Sequence, residues 1–501
     1  MPKVSVKVKW GKETYPGVEV NTDDDPVVFK AQIFALTGVQ PERQKVVCKG
    51  VTLRDDDWGN FKLTNNALVL VMGSKEEDVP QVPVEQTRFV EDMNESELAT
   101  ALDLPEGLIN LGNTCYMNAT VQCLKTVPEL KTALFKYDKS SGGGSAGELT
   151  AALSETLAAL EGGGAGACAG AAARLLRALH AAAPRLAERA PGGGLAQQDA
   201  SECWAEMLRA LQQRLPAHHH AARAAAANDV ISQYFGGTLQ VELVCAEAEE
   251  PPSRSEETFL QLSCFISQDV KYLQSGLRSK MSEQITKMSQ TLGRDALYTK
   301  TSKISRLPAY LTVQFVRFYF KEKESINAKI LKDVKFPLDL DVFELCSPEL
   351  QERLAPMRAK FKEIDDANVD STLNSKNKNH GDSKKESKNT VVVPYWFDND
   401  VGSNNSGFYR LQGVLTHRGR SSSSGHYVAW VRRADSWLRC DDDTVTPVTQ
   451  DEVLKLSGGG DWHCAYLLLY GPRILELPQP EEEPMVVEHD EPAGDPPTAL
   501  A

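Results

Sequence analysis

The chain has 501 residues, of which 41% are hydrophobic and 25% charged, with a net charge of −14 at neutral pH. This composition is typical of a soluble globular protein and excludes a fibrous or wholly disordered one, while the length favours two domains joined by a linker. The acidic balance argues against nucleic acid as a partner. No apolar run approaches the ~18 residues of a transmembrane helix, and the N-terminus alternates in polarity where a signal sequence would be apolar. We therefore expect a cytoplasmic protein without a transmembrane segment, with the nucleus left open as a second location.

The ten cysteines are spread along the chain without a closely spaced framework and without a CxxC pair. This distribution favours a reducing compartment and argues against a disulfide scaffold or a zinc ribbon. We expect no metal and no cofactor.

Residues 1–74 are predicted to form a small domain of their own. "SVKVKW" and "YPGVEV" alternate as half-buried strands, a helix can begin at Pro26 and end at Gly38, and "QKVVCKG" and "ALVLVMG" supply two further strands. This order resembles the β-grasp fold, and specifically a ubiquitin-like domain. The resemblance implies that Val47 and Val71 are counterparts of the hydrophobic recognition patch of ubiquitin. The alternative is a domain with a core but no partner.

Residues 75–102 are charged and contain proline, so they are predicted to be a flexible linker. Helical spacing dominates from residue 107, and strand patterns follow from about residue 231. Three Gly/Ala-rich pieces, "SSGGGSAG", "EGGGAGACAG" and "APGGGLA", are predicted to be flexible connections of low functional content. Residues 366–389 are predicted to be a mobile insertion and residues 474–501 an acidic disordered tail. A helical half followed by a β half predicts an α+β domain over residues 103–473, with a cleft between the halves.

The stretch "GLINLGNTCYMNATVQCL" places one cysteine, Cys115, at the start of a predicted helix. Asn113 or Thr114 can cap this helix, and apolar residues then recur with helical spacing. In the first turn of a helix, free backbone N–H groups and the helix dipole favour a thiolate. A thiol placed there is suited to nucleophilic attack but needs a base.

His426 is the candidate base among nine histidines. It follows "RSSSSG" and begins a predicted strand, where a loop would present it at the edge of a cleft. Three consecutive aspartates, beginning at Asp441, end another predicted strand shortly afterwards, and one of them could orient the imidazole. The other notable histidines, 218–220, lie in a low-complexity tract without a metal-ligand pattern.

Together these motifs resemble the ubiquitin-specific protease family of papain-like deubiquitinases. "GLINLGNTCYMNATVQCL" is similar to the family's cysteine box, "QQDASECW" to its Gln-Asp box, "LPAYLTVQFVRF" to its central β motif, and "SGHYVAWVRR" with "DDD" and "AYLLLYG" to its histidine box. The resemblance covers residues 103–473 and implies a papain-like domain with a helical thumb, a β palm and fingers.

Carried over by position, the resemblance implies that Cys115 is the nucleophile, His426 the general base and later acid, and Asp441 the residue that orients His426. Asn110 would donate to the oxyanion beside the Cys115 backbone N–H.

Gln198, Asp199 and Tyr427 would bind substrate, with Asp199 facing the basic tail of ubiquitin. For Asp199 a helix N-cap is equally open and does not exclude that role.

Two departures from the family pattern accompany these matches. Cys440 stands where the family usually has an aromatic residue, and the paired CxxC motifs of the zinc-binding fingers are absent. In "RGRSSSSGHY", Arg418 and Arg420 precede Ser423 at a spacing favoured by basophilic kinases, so Ser423 is a candidate regulatory phosphorylation site. The alternative is a serine-rich loop that is never modified.

With the ubiquitin-like domain, the resemblance is to the proteasome-associated branch of the family. It implies hydrolysis of isopeptide bonds after the C-terminal glycine of ubiquitin, which trims chains from polyubiquitinated proteins and recycles ubiquitin. The ubiquitin-like domain would dock on the regulatory particle of the 26S proteasome, and docking would activate the enzyme. The alternative function is a non-catalytic ubiquitin-binding adaptor at the proteasome. A transglutaminase-like acyl transferase also uses Cys, His and Asp, but the flanking motifs do not fit it.

Overall fold

The computed structural model describes residues 3–75, 104–162, 164–218, 227–321, 326–376, 390–421, 424–460 and 462–478. The chain divides into two compact units, Met1–Asn94 and Glu95–Ala501. Nearly all of the expected linker and most of the expected acidic tail lie outside the described residues. Ser423 lies outside them as well.

The first unit is a five-stranded sheet with one helix. Its elements are β1 (Val4–Trp10), β2 (Glu13–Val20), α1 (Pro26–Thr37), β3 (Lys45–Cys48), β4 (Val51–Thr52) and β5 (Leu68–Met72). The strand order is β2-β1-β5-β3-β4, and β1 and β5 are parallel. Helix α1 ends at Gly38, whose φ of 73° is left-handed and whose N–H donates to the carbonyl of Phe34 at 2.8 Å. The predicted β-grasp fold is confirmed.

The surface patch of this unit differs from the prediction. Val71 is 4% exposed and belongs to the core, whereas Leu68, Leu70 and Met72 on the other face of β5 are 48%, 38% and 55% exposed. Val47 is half-buried and lies opposite Leu70 in the sheet. The assignment of Val71 to the surface is therefore wrong. Strand β5 is apolar at every position, so its side-chain period of two does not reveal which face is covered. We call Val47, Leu68, Leu70 and Met72 the apolar strip.

The second unit contains nine of the described α-helices. They are α2 (Cys115–Leu124), α3 (Pro128–Lys136), α4 (Gly144–Ala159), α5 (Gly164–Ala182), α6 (Ala200–Gln212), α7 (Val230–Tyr234), α8 (Leu273–Lys280), α9 (Pro348–Lys376) and α10 (Gln450–Leu454). The first two Gly/Ala-rich pieces are not simple connections, because α4 and α5 begin within them. Alanine has the highest helix propensity, and the buried leucines of α4 and α5 provide the packing that glycine alone would not.

The strands of the second unit follow the helical half, as predicted. They are β6 (Gly237–Cys245), β7 (Ser253–Phe259), β8 (Leu262–Phe265), β9 (Ser282–Met288), β10 (Asp295–Arg306), β11 (Leu311–Val316), β12 (Phe318–Lys321), β13 (Ile326–Lys329), β14 (Asp339–Asp341), β15 (Thr390–Val393), β16 (Phe408–Ser421), β17 (Ser424–Arg433), β18 (Ser436–Asp441), β19 (Thr444–Val448), β20 (Cys464–Pro472) and β21 (Leu475–Pro478).

These strands form three sheets. The palm is a ten-stranded sheet with the path β19-β18-β17-β16-β20-β11-β8, to which β12, β13 and β14 are added. The fingers are a four-stranded sheet in the order β7-β6-β10-β9, and β15 pairs with β21. The fold is therefore α+β, with a helical thumb beside a β palm, as expected.

Two apolar cores cover the two faces of the palm. One joins helices α2 to α7 to one face of β16, β17 and β20, and the other includes α8 and the first turns of α9 on the opposite face. Helix α2 packs directly against β17. The start of α2 is thereby held at the boundary between thumb and palm.

A buried arginine links three segments of the palm through hydrogen bonds. Arg317 is 0% exposed and donates to four backbone carbonyls, those of Ala465, Ile330, Lys332 and Ser457, at 2.6 to 3.1 Å. Burial lowers the pKa of its guanidinium. Four acceptors from three separate segments thus compensate the cost of burying this charge.

Helix α9 extends into the stretch predicted to be a mobile insertion. Residues 366–376 belong to α9, and residues 377–389 lie outside the described part of the chain. The polar sequence excluded a buried element but not a helix, because a helix satisfies its backbone hydrogen bonds internally. No helix within the described ranges is long and apolar enough to cross a membrane.

Candidate active site

Helix α2 begins at Cys115, so the predicted helix start is confirmed. Thr114 occupies the N-cap position as predicted, but its side chain makes no capping hydrogen bond to the helix. The Thr114 hydroxyl accepts from the backbone N–H of Leu111 at 2.9 Å, and the Asn110 side-chain oxygen accepts from Gly112 at 2.9 Å and Thr114 at 3.2 Å. The polar run therefore folds into a tight loop in which side-chain oxygens accept hydrogen bonds from backbone N–H groups of the same loop.

The Cys115 thiol is enclosed. Its residue is 2% exposed, and its sulfur accepts from the backbone N–H of Tyr427 and from the side-chain Nε2 of Gln197, each at 3.5 Å. The residue that reaches the sulfur is thus Gln197, whereas the sequence motif points to its neighbour Gln198.

His426 and Asp441 form a pair beside this thiol. His426 Nε2 lies 2.5 Å from Asp441 Oδ1, and Arg439 also donates to the Asp441 carboxylate. The hydrogen bond to Asp441, and next a hydrogen bond to Cys115, raise the pKa of His426 to about 10. The hydrogen bond to His426, with added attraction from Arg439, lowers the pKa of Asp441 to about 2. The pair thus places a protonated imidazole beside the cysteine at the start of helix α2.

A second carboxylate, Asp442, organises the loop before Cys115. Its Oδ2 accepts from Asn110 Nδ2 at 2.9 Å and its Oδ1 from Asn118 Nδ2 at 2.8 Å, while its backbone carbonyl accepts from Leu108 at 2.8 Å. Asp442 occupies the turn between β18 and β19 with a left-handed φ of 54°. The run of three aspartates is the signal in the sequence for this site, and it does not show that the second member, besides Asp441, has a role.

The close approach of these two segments depends on a glycine. A Cβ on Gly107 would lie 2.5 Å from backbone atoms of Asp442 and Asp443. Any side chain at residue 107 would push the loop before Cys115, residues 107–114, away from the turn that carries the carboxylates.

Asp199 is a helix cap in the free protein. Its Oδ1 accepts from the backbone N–H groups of Ser201 at 2.7 Å and Glu202 at 3.2 Å, and both oxygens accept from the hydroxyl of Tyr466 at 2.8 and 2.7 Å. The N-cap alternative is thus confirmed. The Tyr466 hydroxyl fixes the carboxylate across the boundary between helix α6 and strand β20.

The Tyr427 side chain lies in the core and does not form an open surface. It is 1% exposed and packs between His417 and Tyr466, with ring centroids at 4.7 and 6.0 Å. Its backbone N–H is the group that meets the thiol.

The third Gly/Ala-rich piece contributes to the site, contrary to the expectation of low functional content. Residues 188–197, the 188–197 loop, fold back on themselves through backbone bonds from Ala196 to Glu188 and from Ala190 to Gly194, both 2.9 Å. Asn113 Nδ2 donates to the carbonyl of Leu195 at 2.8 Å. The end of the 188–197 loop therefore contacts the loop before Cys115, and Gln197 contacts the Cys115 sulfur.

A helix-terminal thiol beside a His–Asp pair, at the boundary of a helical half and a sheet, defines the protein as a thiol hydrolase. The sequence profile of the family "Ubiquitin carboxyl-terminal hydrolase" matches residues 106–470. The chain belongs to this family and is a cysteine-type deubiquitinase, a ubiquitin-specific hydrolase.

Curated relatives match nearly the full length. Ubiquitin carboxyl-terminal hydrolase 6 of Arabidopsis thaliana is 39% identical over 95% of this chain and 100% of its own. Ubiquitin carboxyl-terminal hydrolase 14 of Caenorhabditis elegans is 40% identical over 94% of each chain.

A solved structure shares the fold. The SAGA Ubp8/Sgf11/Sus1/Sgf73 DUB module bound to ubiquitin aldehyde contains a chain with a TM-score of 0.51 and 22% identity, covering 75% of this chain and 73% of that one.

Proposed function

We propose that this protein is a proteasome-associated deubiquitinase that trims ubiquitin chains from proteasome-bound proteins and recycles the ubiquitin. The observation that carries the catalytic part is the His426–Asp441 pair at 2.5 Å beside a thiol at the start of helix α2. A pure adaptor has no need for this arrangement.

In the first half-reaction the Cys115 thiolate attacks the carbonyl carbon of the terminal glycine of ubiquitin, and the C=O electron pair moves to the oxygen. The Cys115 backbone N–H and Asn110 donate to this oxyanion. Asn110 Nδ2 uses one N–H on Asp442, which leaves its second N–H for the substrate. When the oxyanion collapses, the C–N bond breaks and His426 gives its proton to the leaving lysine amine.

In the second half-reaction water attacks the thioester while His426 accepts a proton from that water. The C–S bond breaks, and ubiquitin leaves with a free carboxylate. Asp441 keeps the imidazole oriented in both steps and stabilises its charged form. Asp199 would pair with a basic residue of the ubiquitin tail through its solvent side while it caps helix α6. Gln198, next to Asp199 and partly exposed, would line the same groove for the ubiquitin tail, whereas the buried Tyr427 side chain takes no part in it.

The ubiquitin-like unit supplies the docking part of the proposal. Its apolar strip places three well-exposed aliphatic side chains on one strand, an arrangement typical of interaction sites. We infer that this strip binds the regulatory particle of the 26S proteasome and that docking activates the catalytic unit. All ten cysteines are unpaired thiols, which is consistent with work in the reducing cytoplasm.

The test is a ubiquitin probe with a C-terminal electrophile, added to the protein with and without purified proteasomes. We expect labelling of the wild type, stronger with proteasomes, and none in Cys115→Ala. Cys123→Ala is the matched control, because Cys123 is buried further along the same helix and should leave labelling intact. Absence of labelling under both conditions would instead support the adaptor function.

Phosphorylation of Ser423 remains a hypothesis about regulation. A phosphate adds roughly −1.5 to −2 charges and would disfavour a loop conformation that covers the tail groove. Ser423→Glu should then raise ubiquitin hydrolysis over the wild type, and an unchanged rate would count against this role.

A further inference from the structure

The 188–197 loop has no part in the mechanism above, yet it reaches the nucleophile. Gln197 Nε2 donates to the Cys115 sulfur at 3.5 Å, and Asn113, two residues before Cys115, holds the carbonyl of Leu195 at 2.8 Å. The end of the loop is thus attached at two points to the segment that carries the thiol.

The sulfur in this state is protected from substrate. A reacting carbonyl carbon must come to about 3 to 3.5 Å from the nucleophile. Cys115 is 2% exposed, and the Gln197 amide, at 3.5 Å from its sulfur, occupies part of the shell that the carbonyl carbon would enter. The same amide N–H is a charge-assisted donor to a thiolate.

The tip of the loop is open to solvent on all sides. Gly192, Gly193 and Gly194 at its tip are exposed, and a Cβ on any of them would have open space within 4 Å. Segments with few packed contacts are those that open locally in a native protein. Opening would require loss of the Asn113–Leu195 and Gln197–Cys115 hydrogen bonds and of the packing of the Leu195 side chain against the thumb core. The Asp199 cap of helix α6 holds the far end of the loop in place.

We propose that Gln197 is a positioning residue that holds and shields the Cys115 sulfur in the free enzyme, and that the 188–197 loop withdraws Gln197 when the ubiquitin C-terminus enters. This inference rests on the proposed role of Cys115 as nucleophile. It gives Gln197 two separable effects, one through its N–H donor and one through its bulk.

Alkylation of Cys115 by iodoacetamide, followed by mass spectrometry of the Cys115 peptide across a pH series, separates these effects without ubiquitin. Gln197→Ala removes the bulk, so the plateau rate of Cys115 alkylation at high pH should rise about tenfold. This factor corresponds to a loop that is open in about one wild-type molecule in ten. Gln197→Glu keeps the size but replaces the donor with a carboxylate. Its plateau should stay near that of the wild type, while the pH midpoint of alkylation should move up by about one to two pH units.

Asn113→Gly provides a second variant that leaves Gln197 intact. Glycine tolerates the left-handed φ of 55° at this position but releases the carbonyl of Leu195, so the plateau rate should rise as in Gln197→Ala. Gln240→Ala, an exposed glutamine on β6 in the fingers, is the control and should match the wild type in both readouts.

Plateau rates within twofold of the wild type in both Gln197→Ala and Asn113→Gly would overturn the shielding role. An unmoved pH midpoint in Gln197→Glu would overturn the donor role. Hydrolysis of a ubiquitin conjugate is measured on the same samples. A wild type that is alkylated at Cys115 but hydrolyses nothing, with or without purified proteasomes, would refute the proposed function and leave the loop inference standing on its own readout.

Discussion

Asp442→Asn isolates the effect of the second carboxylate on the reaction. Asparagine tolerates the left-handed φ of 54° at this position and keeps the shape of the side chain. It offers only one oxygen, whereas Asp442 accepts from both Asn110 and Asn118. One of the two amides must then face an NH₂ group, and the loop before Cys115 loses one of its anchors.

The size of the effect follows from what is lost. A hydrogen bond to a charged acceptor contributes about 1.5 to 3 kcal/mol, which corresponds to a factor of about 10 to 150 if the bond holds Asn110 only in its working position. Complete loss of one oxyanion donor costs about 100- to 1000-fold in kcat. We therefore expect kcat for a ubiquitin–fluorophore substrate to fall about 10- to 100-fold, with a smaller change in KM.

A double-mutant cycle tests whether Asp442 acts through Asn110. Asn110→Ala, Asp442→Asn and the double variant are compared by kcat/KM, and thermal melting checks that each is folded. If Asp442 only positions Asn110, the double variant should be no slower than Asn110→Ala alone.

Asp442 Oδ2 also lies 4.0 Å from His426 Nε2, so the competing explanation is a direct effect on the imidazole. That explanation predicts additive losses and a shifted pH–rate profile in Asp442→Asn. Additive losses in the cycle would refute our reasoning. An unshifted profile with a non-additive cycle would support it.

Three further predictions concern stability and docking. The difference in unfolding free energy between the wild type and Asp441→Asn, measured by urea unfolding, should shrink as pH falls from about 4 through about 2, because the folded-state pKa of Asp441 is lowered. It should also shrink as pH rises from about 6.5 through about 10, because the folded-state pKa of His426 is raised. A pH-independent difference would contradict the ion pair. Asp199→Ala should cost about 1 to 2 kcal/mol of stability through the lost cap, whereas Asp199→Ser should restore most of it but not hydrolysis, if the carboxylate binds the ubiquitin tail; full activity in Asp199→Ser would remove that role. Leu70→Asp on the apolar strip should abolish proteasome co-sedimentation with little change in melting, whereas Val71→Ala should cost about 2 kcal/mol and leave docking intact; the reverse pattern would restore Val71 to the surface patch.

The parts of the site that repeat a local pattern could be predicted from the sequence. Cys115 begins a helix because apolar residues recur behind it, and His426 begins a strand because "HYVAWV" is rich in β-forming residues. The β-grasp unit follows from strand alternation and from the glycine that ends its helix. These features depend on neighbours along the chain, which the sequence displays directly.

The parts that depend on contacts between distant segments could not be predicted in this way. Which of Gln197 and Gln198 reaches the sulfur is decided by the path of the 188–197 loop. Whether Val71 or Leu70 faces solvent is decided by the side on which helix α1 covers a strand that is apolar throughout. Asp442 gains its role only because Gly107 allows two segments to touch. In each case two neighbouring residues are equivalent locally and differ only after folding.

Arg317 limits which sequences this fold can use. Lysine carries one ammonium in place of a planar guanidinium with five donors, so it could not satisfy four carbonyls that converge from three segments. Each carbonyl left without a hydrogen bond would cost about 1 to 3 kcal/mol of stability. The hydrogen bonds of Arg317 go to backbone carbonyls of the palm and not to the Cys115 thiol. A natural variant at this position should therefore reduce how much enzyme a cell accumulates, through clearance of the misfolded chain, while the molecules that do fold turn over substrate at the normal rate.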